Sequence, residues 1–424
     1  MKQRILYTAN NPLVATKKQK RAVAYFWYGF LVFLVTAILI LFGNKYLSGS
    51  QCQAIQIVAL AFMISGSVTL MRYKFDDKYL KNVFTIYFLY SITVVARGIE
   101  LNYNALKTTL LDGAYGILPY LTPLAILLPR KMVLYKQAFL THLILGILFI
   151  IFIIVYYDVI HTQDWMSQEA LFYVEVIVGT LGFPAGFLLS IYMYNKRPVT
   201  LFTLLVMLVA IFFLIYRARR GALFLCITSV AGAGMMYLIY TKRTLLVIFI
   251  SIILVTFSTF FLSGIKAPGM FSFLMARQDE DTRSGVEGYM RASMHSRQEW
   301  MLGKGMNGKY FCPIVMNQAD KSYERGVIET GYLQIVLKGG YISLILLLCM
   351  LVPAVFKGFF DSKNMFCKAA AMFIVLWMVS LYPSVPNNFS MNYLFLWIAV
   401  GICYSEKLRQ LPDAIIKTHL QRFK

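Results

Sequence analysis

Acidic residues are scarce in this chain, 19 Asp and Glu against 41 Lys and Arg in 424 residues, and charged side chains make up only 14% of it. Long stretches carry no charge, 59% of the residues are hydrophobic, and the mean hydropathy is +0.65. These values exclude an ordinary soluble domain, because uncharged apolar runs of about 18 or more residues are read as membrane spans. The formal charge of +22 then gives no reason to expect nucleic acid, since Lys and Arg beside apolar runs orient helices in a bilayer. Histidine is rare too, with four in all, and the six cysteines are scattered without a CxxC pair. Neither a metal centre nor a disulfide framework is suggested.

The apolar runs predict an all-α polytopic membrane protein with about twelve spans. They run roughly over 22–42, 53–71, 80–97, 113–129, 137–157, 170–194, 199–216, 221–240, 244–263, 333–356, 367–383 and 389–404. The first run is too long for the apolar core of a cleaved signal and has no small-residue cleavage pattern after it, so it reads as a retained span. No internal repeat is detectable. Residues 264–330 form the one large polar loop, between spans nine and ten, and no other segment has the makings of a separate domain.

Lys and Arg mark alternate connections: Lys17, Lys18, Lys20 and Arg21; Arg72, Lys74, Lys78 and Lys81; Arg130, Lys131 and Lys136; Lys196 and Arg197; Lys242 and Arg243; Lys357, Lys363 and Lys368. The tail adds Lys407, Arg409, Lys417, Arg422 and Lys424. The other connections are poor in cations. Positive-inside bias therefore predicts both termini in the cytoplasm and the 264–330 loop outside. On this topology Cys52 and Cys312 share the outer side.

One short connection breaks the rule. "LIYRARRGALFLC", 214–226, puts Arg217, Arg219 and Arg220 on the outer face. A cation suits the C-terminus of span seven, which accounts for Arg217. Arg219 and Arg220 fall at the start of span eight, where the helix dipole disfavours cations unless an anion compensates. Either acids of the large loop fold over them, or they hold an anionic ligand. The loop has eight acids against nine bases, leaving little spare acid, so the ligand reading is preferred. Arginine forks suit phosphate oxygens, and at the membrane surface the expected anion is a lipid-linked phosphate or diphosphate.

Within the loop, "YMRASMHSRQEWMLGKGMNGKYFCP", 289–313, holds Arg291, His295 and Arg297 beside a glycine cluster. Residues 303–308 fit GxGxxG, but no strand precedes them, and Tyr310 stands where a P-loop needs Ser or Thr. A tight turn over the membrane surface is the better reading. Arg291 and Arg297 are candidates to join the hairpin's anion site. His295 is a candidate base, with a solvated or structural role preferred. Glu329 sits just before span ten, where partial desolvation would raise its pKa toward that of a general base. An acid favouring that span's dipole is an equal alternative.

Together these residues resemble the bacterial O-antigen polymerase and O-antigen ligase superfamily of inner-membrane proteins. Arg220-Gly221-Ala222 matches its element at the start of a helix before the loop. Arg297…Trp300 and Gly303-x-Gly305 look like its loop helix and turn. Glu329-Thr330-Gly331-Tyr332-Leu333, followed by Gly339-Gly340, stands where the family has a His-Asn-x-Tyr-Leu-like element. The likeness covers roughly residues 200–350, and Glu329 replaces the histidine of the ligase branch.

The resemblance implies a metal-independent glycosyltransferase, needing no cofactor, that polymerises polyprenyl-diphosphate-linked repeat units into O-antigen or capsule-type polysaccharide. Arg220, with Arg217, Arg219, Arg291 or Arg297, would hold the leaving diphosphate, and Glu329 would be the base. Expected partners are the lipid-linked glycans, membrane lipids and a chain-length regulator. The rivals are a ligase that transfers finished glycan and a lipid-linked glycan flippase. Against transport stand nearly charge-free span interiors, with Glu175 the main exception. A glycosyltransferase with an acidic pair in the first outer loop is disfavoured, because 43–52 contains no acid.

Overall fold

A computed structural model describes residues 15–41, 47–99, 102–114, 116–162, 168–217, 219–241, 283–314, 322–384 and 388–421. The predicted span 244–263 and the first part of the predicted loop, 264–282, lie outside the described residues. The chain is mostly helical, and among the described residues eight helices are long and apolar enough to cross a membrane.

The helices are α1 (Lys17–Leu41), α2 (Gly49–Leu70), α3 (Lys78–Ala96), α4 (Tyr103–Leu111) and α5 (Leu118–Leu121), which runs into a 3-10 turn, Thr122–Leu127. Next come α6 (Met132–Val155), α7 (Tyr157–Thr162), α8 (Gln168–Ile177), α9 (Ala185–Ser190), α10 (Arg197–Tyr216) and α11 (Arg220–Thr241). The polar region supplies α12 (Ser284–Ala292), α13 (Arg297–Leu302) and a two-stranded antiparallel ribbon, β1 (Tyr310–Phe311) with β2 (Glu324–Arg325). The chain continues with α14 (Gly331–Phe360), α15 (Met365–Ser380), α16 (Met391–Tyr404), α17 (Glu406–Arg409) and α18 (Asp413–Gln421).

Local chemistry sets many of these boundaries. Ser48 and Gln51 form a capping box before α2, Asp77 caps α3, and Asn364 and Ser390 cap α15 and α16. Where three of the twelve expected spans fall, the helices are only 10–17 residues long: Leu118–Leu127, α15 and α16. Pro119 and Pro123 explain the first, because each removes a backbone donor and tightens the chain. In α16 nearly every residue is buried, as expected of a helix that is apolar all round, and it lies at the centre of the bundle. The sixth expected span is interrupted: α8 gives way to a π turn at Val178–Gly182, then to α9.

The tenth expected span begins later than its hydropathy suggests. Gly340 inside α14 has φ 66° and ψ −177°, which separates a buried segment, 331–339, from the apolar helix that follows. The stretch from Tyr341 to Phe360 rises roughly 30 Å at about 1.5 Å per residue, enough to cross a bilayer alone. Residues 331–339 pack instead beneath the polar region, where Leu333, Val336 and Leu337 share a core with Val286, Met290, Met294, Tyr310, Cys312 and Ile328. In the described residues the polar cap thus extends as far as Gly340.

Contacts sort the connections into two ends. At one end Lys357 pairs with Asp77 at 3.2 Å, and Asp413 accepts from the Tyr194 hydroxyl and the Met365 amide. There too the Asn364 amide nitrogen donates to the carbonyls of Leu408, Arg409 and Leu411, folding the C-terminal helices back onto the bundle. At the other end Gly331 N donates to Leu381 O, Phe389 N to Gly113 O, and Met306 N to Val94 O. The cation-marked connections within the described residues gather at the first end and the cap stands at the second, while Lys242 and Arg243 lie outside the described residues. All six cysteines are free thiols, so Cys52 and Cys312 are not bridged.

Candidate functional site

The three arginines of the 217–220 connection have different fates. Arg217 ends α10 with only 1% of its surface exposed, and its guanidinium lies over the Tyr216 ring at 5.4 Å. Its side chain is buried within the protein, unlike that of Arg220. Arg219 is paired with Glu175 of α8 at 3.3 Å. Among the described residues, a compensating acid for Arg219 therefore comes from the interrupted sixth span. Arg220, the first residue of α11, is exposed. Its helix N-terminus supplies backbone N–H groups that favour anions.

Gly221 brings that helix start against the cap. A Cβ there would lie 3.0 Å from the Pro383 carbonyl oxygen and 3.4 Å from Arg283 Nη2, so the absence of a side chain permits the approach. Arg283 Nη2 donates to Pro383 O at 3.3 Å, while its Nε stands 3.9 Å from Glu329 Oε2. Arg283 thereby links the start of α11 to Glu329. Its importance was not legible from spacing, because it is one of nine bases in a polar loop and belongs to no motif. The only sequence signal was its place before an amphipathic stretch.

Glu329 departs from the expectation of a desolvated carboxylate. Its side chain is 55% exposed, because the break at Gly340 moves the membrane-crossing helix away from it. The next residue, Thr330, is buried, and its hydroxyl donates to Glu287 Oε1. The other oxygen of Glu287 accepts from Arg291 Nη2 at 2.9 Å. Arg283, Glu287, Arg291 and Glu329 thus gather charges of both signs at the cap end, beside the α11 start that carries Arg220. The hydroxyl of Tyr332, beside the carboxylate of Glu287 and close to Arg291 and Arg283, is pushed above its ordinary range, first by burial.

Arg297 and His295 are not joined to this group. Both are exposed, and no hydrogen bond or ion pair connects either side chain to the cluster. Arg297 opens α13, which Ser296 caps and which seats at the far end of the 331–339 segment, where Trp300 stacks on Tyr341 at 5.5 Å. The glycine motif makes a turn, not a phosphate cradle. Gly303 and Gly305 have φ 69° and 86°, and the turn docks on α3 through Arg97, whose Nη1 donates to Gly303 O at 3.0 Å and Nη2 to Leu302 O at 2.7 Å. Among the described residues no three His, Cys, Asp or Glu side chains gather as metal ligands do.

No protein-family model, curated protein or solved structure matches the chain.

Proposed function

We propose that this protein is a glycosyltransferase that extends a polyprenyl-diphosphate-linked glycan at the outer face of a bacterial cytoplasmic membrane. Both termini face the cytoplasm, following the cation-rich end. The observation that carries the reading is the approach of the α11 start, which bears Arg220, to Arg283 and Glu329, because cations beside a carboxylate are what transfer from a glycosyl diphosphate needs. The likeness of Arg220-Gly221-Ala222 and of the Glu329–Leu333 element to the O-antigen polymerase and ligase superfamily supports the same assignment.

A hydroxyl of the acceptor repeat unit attacks the anomeric carbon of the donor and passes its proton to Glu329. The bond from that carbon to the diphosphate oxygen breaks, and the diphosphate leaves with the electron pair. Arg220 and the α11 N-terminus receive its charge, with Arg283 and Arg291 at the cap end. A preorganised donor at a developing anion is worth about 3–4 kcal/mol, so losing one such arginine lowers the rate by roughly two to three orders of magnitude. Arg283 sits beside both the base and the anion's receiving end, so it orients the carboxylate before reaction.

The test is a gel of surface glycans from a strain lacking the protein, complemented with wild type, Arg220→Ala or Glu329→Gln. Wild type should restore a ladder, while both variants reach the membrane and leave a single unit. A full ladder from Arg220→Ala would refute the mechanism. Long lipid-linked glycan accumulating beside unmodified acceptor in the deletion strain would make the protein a ligase.

A further inference from the structure

The turn that closes α15 sits against the proposed site and carries a ring that the transfer steps do not use. α15 ends at Ser380, and the chain turns through Leu381, Tyr382 and Pro383. Backbone bonds hold this turn from two sides. Gly331 N, at the start of α14, donates to Leu381 O, while Tyr382 N donates to Val379 O and Ser384 N to Ser380 O. Pro383 O accepts from Arg283 Nη2 at 3.3 Å and lies against Gly221 at the start of α11. Tyr382 therefore directly precedes the residue whose carbonyl meets both cationic elements.

Leu381 is buried, yet Tyr382 is 65% exposed. Tyr382 also acts on the hydroxyl of Tyr332, which after burial feels Glu287 first, then Tyr382, then Arg291 and Arg283. The phenol thus shares its surroundings with the charged groups gathered at the cap end. Glu329 lies two residues before Gly331, whose N–H fastens the turn. An open aromatic face accordingly stands among carboxylates and guanidiniums, with a second hydroxyl at Tyr332. A pyranose has the matching surface. Its apolar C–H face lies on an aromatic ring, and its edge of hydroxyls hydrogen-bonds to carboxylates and arginines.

We propose that Tyr382 is the stacking platform for the sugar ring attached directly to the diphosphate, and so selects a pyranose at that position. The inference rests on the glycosyltransferase reading and deepens it. With the diphosphate at Arg220 and the α11 start, the first sugar, joined to it through one oxygen, falls beside Pro383 and the ring of Tyr382. The ring forms no bond in the reaction. It holds ground state and transition state alike, so its loss raises KM and leaves kcat nearly unchanged.

A tyrosine at a membrane surface has a plainer use, anchoring the chain at headgroup level, and that use involves no sugar. Initial rates of chain extension separate the two roles. They are measured with the purified full-length protein and the lipid-linked unit extracted from a strain lacking it, for wild type, Tyr382→Phe, Tyr382→Leu and Tyr382→Ala. Leu and Ala should raise KM about tenfold, the strength of one aromatic contact, and Phe, which keeps the ring, should rescue it. Inhibition by inorganic pyrophosphate, which engages the arginines but no sugar site, should be equal in wild type and all variants. A wild-type KM in Leu and Ala overturns the proposal and leaves the glycosyltransferase reading standing. Weaker pyrophosphate inhibition in those variants overturns it too, because the change would then have disturbed the whole site. If wild type extends nothing, the glycosyltransferase reading falls and this inference with it. Should Tyr382→Ala fail to fold, Leu, which keeps bulk but has no ring, supplies the comparison with Phe.

Discussion

Lys338, buried in the 331–339 segment and held by Gly308 O, sets a pH dependence whose sign and size follow from that burial. In the folded protein its pKa is about 8, against an ordinary value of 10.5. Between those values the unfolded chain binds more protons than the folded one, so stability rises with pH across that window and is lowest below about pH 8. At about 1.36 kcal/mol for each pH unit, the drop of about 2.5 corresponds to on the order of 3 kcal/mol gained between pH 8 and pH 10.5. Lys338→Met removes the desolvated charge but also the bond to Gly308 O, worth about 1 kcal/mol. The variant should therefore be the more stable protein at pH 7 and the less stable at pH 10, and the two curves should cross. The assay is thermal unfolding of the purified chain from pH 7 to pH 10. Other lysines, tyrosines and thiols titrate over the same range, so the difference between the two proteins is the informative quantity. Parallel curves would show that Lys338 is not the desolvated cation described here.

Three further outcomes are expected. Arg219→Gln should keep most of the ladder-forming activity that Arg220→Gln loses, because Arg219 is held by Glu175; the partly exposed pair should couple by no more than about 1 kcal/mol in a double-mutant cycle with Glu175→Gln. Gly340→Ala should cost more than the roughly 1–3 kcal/mol of its backbone conformation, since a Cβ there would collide with the Met301 carbonyl, whereas Gly234→Ala meets open space and should be tolerated. Proteolytic sensitivity of the cap and the melting temperature check both. Cysteines placed at Lys309 and Lys417, exposed at opposite ends, should differ toward an impermeant thiol reagent on intact cells, the first labelling and the second not. The reverse result would invert the topology and remove the proposed chemistry.

The long uninterrupted runs of α1, α2, α3, α6, α10 and α11 were legible because hydrophobicity and length alone specify a spanning helix. The shorter central helices were not separable from full spans by the same measure, since α16 is as apolar as a span and differs only in where it stops. Gly339-Gly340 was visible as a pair, yet the break follows from docking, where α13 presses its Met301 carbonyl against Gly340. At the site, the sequence pointed to the 217–220 connection because cations there violate the charge rule. It could not apportion the three arginines, because Glu175 and Arg283 approach them only through tertiary packing. Glu329 was placed correctly before α14, but its exposure depends on the same break at Gly340.

The pairing of α3 with α14 constrains how this molecule can move. Near one extremity Lys357 meets Asp77 and the Tyr79 hydroxyl donates to Cys349 O; near the other, the Tyr90 hydroxyl donates to Gly339 O. Two rods pinned at both extremities form a rigid strut, which neither tilts nor slides without tearing those pins out. Any rearrangement needed to admit the proposed lipid-borne substrate would then fall to the opposite flank, where the π turn between α8 and α9 already interrupts a helix within reach of the Arg219–Glu175 pair.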